Sequence, residues 1–135
     1  MGPVVDTNVL LRLLLNDHPI QSAAVRRWIE RPRTRSHQPV ILEIVVTEMV
    51  RVLRQPPYAL GHDALANAIE AVLDLPVEID REPLMMRALE LYRGGTGRDW
   101  EDSLIAAFAE QNSGGALATY DRRLAQLPGL QVIAP

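Results

Sequence analysis

Val4-Val5-Asp6-Thr7-Asn8-Val9-Leu10-Leu11 is the stretch that decides how this chain folds. Residues 3–6 read as a buried strand and residues 8–15 as a helix that starts at once. Asp6 falls at the junction. An acid directly behind an apolar strand is disfavoured unless water, a donor or a cation meets it. A helix N-cap accounts for Asp6 taken singly, because a carboxylate there accepts a backbone N–H.

Working outward, short apolar runs alternate with helical periodicity, which predicts an α/β architecture. Asn16-Asp17-His18-Pro19 breaks the first helix, and Pro19 opens a second through about Glu30, with Ala23, Ala24, Trp28 and Ile29 toward the core. A weakly signalled strand covers 34–38. A helical pattern runs from Pro39 to Arg54 and ends at Gln55-Pro56-Pro57. Residues 63–75 form another helix, with Leu65, Ile69, Val72 and Leu73 on one face. Val77-Glu78-Ile79 is a strand. Asp80 is placed as an N-cap, ahead of a helix with Pro83 in its first turn that runs to about Arg93. Gly94-Gly95-Thr96-Gly97 is a loop without the Gly-Lys-Ser/Thr ending of a phosphate-binding loop. Asp99 caps a helix to about Gln111, closed by Asn112-Ser113-Gly114-Gly115. A strand over Ala116 to Thr119, a short helix from Asp121 to Leu127 and a strand over Leu130 to Ile133 complete the pattern.

The 135 residues fit one domain spanning 1–135, and 47% apolar residues supply a core. There is no cysteine, which excludes a disulfide frame, a thiolate metal site and a cysteine nucleophile, and fits a reducing cytoplasm. The apolar stretch from Val9 to Leu15 is far too short to span a membrane, and no basic segment precedes it, so neither a membrane anchor nor a signal peptide is expected. Net charge is −3, which does not mark a basic nucleic-acid binder. All fourteen basic residues are arginine, and five of them, Arg26, Arg27, Arg31, Arg33 and Arg35, crowd into ten positions. That crowding reads equally as a solvated helix end or as a phosphate-facing patch.

Three further acids repeat the situation of Asp6. Asp121 follows an apolar strand, and in open parallel sheets ligands bind beyond the carboxyl ends of strands. A cap explains Asp121 alone just as it explains Asp6. Glu48 lies four residues after Ile44 and four before Val52, which places it on the stripe Ile41, Ile44, Val45, Val52, Leu53. An edge position reaching solvent, or an ion pair with Arg51 or Arg12, is the alternative there. Asp102 precedes Ile105 and Ala106 by three and four residues, with Asp99 one turn earlier, and the dipole of a first helical turn favours both. Four carboxylates in one pocket would repel and partly protonate, and a divalent cation removes that cost. Acids without His or Cys partners suit hard ions, so Mg²⁺ or Mn²⁺ is expected. Such a site serves phosphoryl chemistry. His18, His37 and His62 show no ligand spacing. Counting the four acids out moves the net charge from −3 to +1.

The motifs Val5-Asp6-Thr7-Asn8-Val9-Leu10-Leu11-Arg12, Thr47-Glu48-Met49-Val50-Arg51-Val52-Leu53-Arg54, Asp99-Trp100-Glu101-Asp102-Ser103-Leu104-Ile105-Ala106-Ala107 and Ala118-Thr119-Tyr120-Asp121-Arg122 resemble, in order and spacing, those of the PIN-domain ribonucleases, specifically the VapC toxins of bacterial toxin–antitoxin pairs. The resemblance covers nearly the whole chain. It implies a three-layer α/β/α domain with a central, mainly parallel sheet. It also implies Mg²⁺-dependent endoribonuclease activity, with Asp6, Glu48, Asp102 and Asp121 as catalytic and metal-binding acids. Asp99, Asn8 and the hydroxyls of Thr7 and Thr119 would support that site. A homodimer, an RNA substrate and a cognate VapB-like antitoxin are implied with it. Trp100 is assigned to packing. A receiver domain would need a lysine, which this chain lacks, and a haloacid-dehalogenase phosphatase would need an aspartate where Asn8 stands. A PIN nuclease of RNA maturation, or a PIN fold that binds without cutting, stays open.

Overall fold

The computed structural model describes residues 1–95 and 99–135, and its chain divides into two units, Met1–Arg81 and Glu82–Pro135. In the first unit the apolar N-terminus makes a single parallel bridge, Val4 to Val40, rather than a strand over 3–6. Two backbone bonds fasten it, Val5 N–H to the Val40 carbonyl and Val40 N–H to the Pro3 carbonyl, both 2.8 Å. Strand β1 (Val40–Ile41) pairs in parallel with β2 (Glu78–Ile79).

Helix α1 (Thr7–Leu14) packs against α2 (Pro19–Glu30) and α3 (Glu43–Arg54), and α3 against α4 (His62–Leu73). The break at residues 15–18 and the start at Pro19 are as the sequence predicts. Leu65, Ile69, Val72 and Leu73 are all buried on α4, again as expected.

Four further expectations on its helices and strands fail. Residues 34–38 hold a 3-10 turn (Arg35–His37), because the extended segment begins only after Pro39. The helical reading from Pro39 is too long: 40–41 is strand and the helix starts at Glu43. Ala23 and Ala24 are exposed and Trp28 is half-buried, so α2 rests on Ser22 and Ile29. On α3 the buried face is Val45, Val46, Met49, Val50 and Leu53, while Ile44 is 69% exposed.

In the second unit α5 (Glu82–Gly94) packs on α6 (Trp100–Asn112). Arg87 grips both carboxylate oxygens of Glu110, at 2.9 and 3.1 Å, and reaches Glu90 at 2.9 Å. Trp100 is fully buried, edge-on to Tyr92 with ring centroids 6.2 Å apart, which makes its role packing. Asp80, at the end of the first unit, is not the cap expected of it, since a turn at Asp80-Arg81 follows and Arg81 takes a positive φ of 54°. Gly94 is the last residue of α5, not loop, and Thr96 and Gly97 lie outside the described residues.

Strand β3 (Ala116–Ala118) pairs in parallel with β4 (Gln131–Ile133) around α7 (Arg122–Ala125). Gly115, with φ 87°, leads into β3 so closely that a Cβ there would collide with the Gly129 carbonyl oxygen. The fold is therefore α/β with short parallel strands, written as one two-stranded ladder in each unit. Among the described residues no helix is long and apolar enough to cross a membrane.

Candidate active site

In the first unit, Asp6 is the N-cap of α1, extended at φ −81°, ψ 157° because the residues before it follow β1's direction. Its Oδ1 accepts the Thr7 N–H at 2.8 Å, and its carbonyl starts the helix by accepting from Val9 and Leu10. Thr7 is buried, and its hydroxyl donates to Glu48 Oε2 at 2.9 Å. A residue beside the first acid thus holds the second acid, forty-one positions away. Glu48 itself is exposed on α3, on the same open side as Ile44. The expectation that it sits on the core-facing stripe is wrong; a second helical stripe, one residue round, is the one that packs.

Neither ion pair weighed as the alternative for Glu48 forms. Arg12 turns to Asp17 at 3.6 Å and to Gln21 at 2.8 Å, and Arg51 makes no ion pair with Glu48. Arg51 instead shares with Glu48, Glu43, Ile44 and Thr47 a hollow of about 230 Å³. Asn8 lines a different cavity, of about 420 Å³, with Val9, Arg12 and Val25.

In the second unit, Asp99 caps α6 as the sequence predicts, its Oδ1 accepting the Asp102 N–H at 2.8 Å. Ser103, fully buried, donates to the Asp99 carbonyl at 3.1 Å and locks this corner from beneath. Ser103 was not among the expected site residues; a hydroxyl inside the apolar face of a helix is the sign that would have found it. Asp121 caps α7, accepting the Arg123 N–H at 2.8 Å. The Thr119 hydroxyl accepts the Asp121 N–H at 2.9 Å, so Thr119 sets the direction in which Asp121 leaves β3.

Asp102 is half-buried, and its carboxyl is held above the usual carboxylate range. Burial is the main cause, followed by the charge of Asp99, with Asp121 adding to it. These three acids crowd one another electrostatically, yet among the described residues no group of three or more acids or histidines stands close enough to hold an ion.

In each unit taken by itself, carboxylates without a His or Cys partner are of the donor type that suits a hard divalent cation. Capping or hydroxyl bonds take one carboxylate oxygen of Asp6, Glu48 and Asp121, and the other oxygen receives no hydrogen bond from the described residues. A cation would also relieve the charge that Asp102 holds unfavourably.

Carboxylates thus cap helices behind strand ends in an α/β chain with parallel ladders. The family model for the PIN domain matches residues 4–130, and the chain belongs to that family. PIN domains are typically metal-dependent nucleases. No curated protein sequence matches the chain significantly.

Proposed function

We propose that this chain is a Mg²⁺-dependent endoribonuclease, the toxin of a type II toxin–antitoxin pair of the VapC kind. The observation that carries the reading is the Thr7–Glu48 hydrogen bond, which joins the first two acidic motifs across forty-one positions. Asp6 and Asp102 would bind Mg²⁺ or Mn²⁺ directly, with Glu48 and Asp121 binding directly or through water. When bound, such an ion supplies Lewis acidity toward the phosphate and lowers the pKa of coordinated water.

The chain's own residues keep the carboxylates in place. Thr7 orients Glu48, Thr119 orients Asp121, and Asp99 holds the first turn from which Asp102 projects. Water adds across the P–O3′ bond of RNA, its oxygen joining phosphorus and its proton ending on the leaving oxygen. The products carry a 5′-phosphate and a 3′-hydroxyl. As a toxin the protein would act in the cytoplasm, as a homodimer, silenced by a VapB-like antitoxin.

The test is expression in a bacterial host, with the cut RNA mapped and the product ends identified. Growth arrest that a short neighbouring reading frame relieves supports the toxin role. RNA cleavage that continues in EDTA would falsify the metal-dependent mechanism.

A further inference from the structure

The chain's charge is unevenly laid out. Residues 26–37 carry five arginines and one glutamate, +4 in all, against −7 for the rest. A chain whose candidate site is acidic and whose net charge is −3 has to attract a polyanion by some other surface. The end of α2 and the 3-10 turn after it offer one. Arg26 is partly neutralised by Glu30 at 3.8 Å, and Arg33 lies over the Trp28 ring, 4.8 Å from its centroid. Arg27, Arg31 and Arg35 are exposed, and their guanidinium groups make no hydrogen bond or ion pair with any described residue. Four of the other eight described arginines are ion-paired, Arg12 with Asp17, Arg81 with Glu43, Arg87 with Glu90 and Glu110, and Arg123 with Asp121, and Arg54 and Arg93 have partners too.

The free guanidiniums sit where chain geometry spaces them. Arg27 is in the last turn of α2, Arg31 is its C-cap and Arg35 opens the 3-10 turn. Beside them Thr34 Oγ1 and His37 Nδ1 lie 2.7 Å apart, a small polar cluster suited to phosphate oxygens. Guanidinium presents donors in a planar fork that matches phosphate in pairs.

We infer that the arginine segment from Arg27 to Arg35 is an RNA-docking surface, which grips the phosphate backbone while the acids cut elsewhere. The inference rests on the ribonuclease reading for the identity of the polyanion.

The experiment separates the two. Binding of a labelled single-stranded RNA is measured by fluorescence anisotropy in EDTA, across a salt series, with the full chain. Arg31→Gln/Arg35→Gln is compared with Arg81→Gln/Arg93→Gln, which removes the same charge elsewhere. Both pairs are exposed, and circular dichroism confirms that each variant folds. The patch pair is expected to weaken binding about tenfold or more near physiological salt. It should flatten the plot of log K against log salt by about 0.7 for each lost contact. The control pair should do neither. Equal losses in both pairs, or none in the patch pair, overturn the inference. So does patch-dependent binding of poly-glutamate or of anionic vesicles as tight as that of RNA. A chain that cuts RNA but shows no patch effect loses only the docking surface. A chain that binds through the patch and never cuts, with Mg²⁺ present, loses only the nuclease reading.

Discussion

Glu48 and Asp102 are both candidate carboxylates, yet the two units hold them by opposite means. Glu48 stands exposed on α3 and is positioned by a hydroxyl from a distant motif. Asp102 is half-buried at the start of α6, positioned by the helix cap Asp99, and the charges of Asp99 and Asp121 favour its protonated form. A long-range donor can be removed without disturbing the helix that bears the acid. A local cap cannot, because the bond that aims the acid also starts the helix. Glu48 should therefore show its importance mainly in catalysis, and the corner that bears Asp102 in stability and pH response as well.

The sharpest test of that contrast is Asp6→Asn. An asparagine oxygen can still cap α1, so the melting temperature should stay close to the parent's while RNA cleavage falls by on the order of 10²–10³-fold. Undiminished turnover of a labelled RNA by the folded variant would remove Asp6 from the site.

Thr7→Val comes next. It keeps shape and burial but deletes the donor to Glu48, and the expected loss is about 10-fold in cleavage and about 1 kcal/mol in stability. Thr7→Ser should restore most of both, and a Thr7→Val enzyme with parental kinetics would mean that Glu48 needs no positioning.

Asp99→Ala probes the other regime. Denaturant titration should show a loss of about 1 kcal/mol as the first turn of α6 loses its cap, while Asp99→Asn loses little. If Ala and Asn behave alike, the cap is not what holds that corner.

The smallest effect on stability belongs to Asp102→Asn, and it depends on pH. The folded chain binds the Asp102 proton more tightly than the unfolded chain does. Its contribution to stability is thus present in full below the ordinary carboxylate pKa, about 4, and is lost as the pH climbs through the raised value. At pH 7 the neutral asparagine should raise the melting temperature by about 1–2 °C, discounted for the residue's exposure, and the gain should vanish near pH 4. A gain of the same size at both pH values would show that charge is not the cause.

The parts of the fold that could be read from sequence are those whose signals are local. Pro19, Asp99 and the Gly114-Gly115 pair announce helix ends through backbone geometry that needs no partner. The face of α3 was not legible, because Val45, Val46, Val50, Val52 and Ile44 surround the helix and two helical stripes can be drawn through them. Packing against α1 and α4 selects one, and Glu48 falls outside it. The strand over 3–6 shrinks to one bridge for a similar reason: pairing depends on how much of Val40–Ile41 is available, which the N-terminal residues cannot reveal. Within the candidate site, the caps Asp6, Asp99 and Asp121 were legible as caps. The Thr7–Glu48 link was not, since nothing in either motif states that the other is near.

Gly115 carries a consequence for genetics. Any side chain there would strike the Gly129 carbonyl and take a backbone angle that only glycine adopts comfortably. Parallel pairing of β3 with β4 would loosen, and with it the strand that delivers Thr119 and Asp121. Under the proposed toxin role, a selection for harmless alleles of this gene should therefore recover changes at Gly115 alongside changes at the acids. Such alleles would be recognisable by low protein abundance, whereas Asp6→Asn should leave abundance intact.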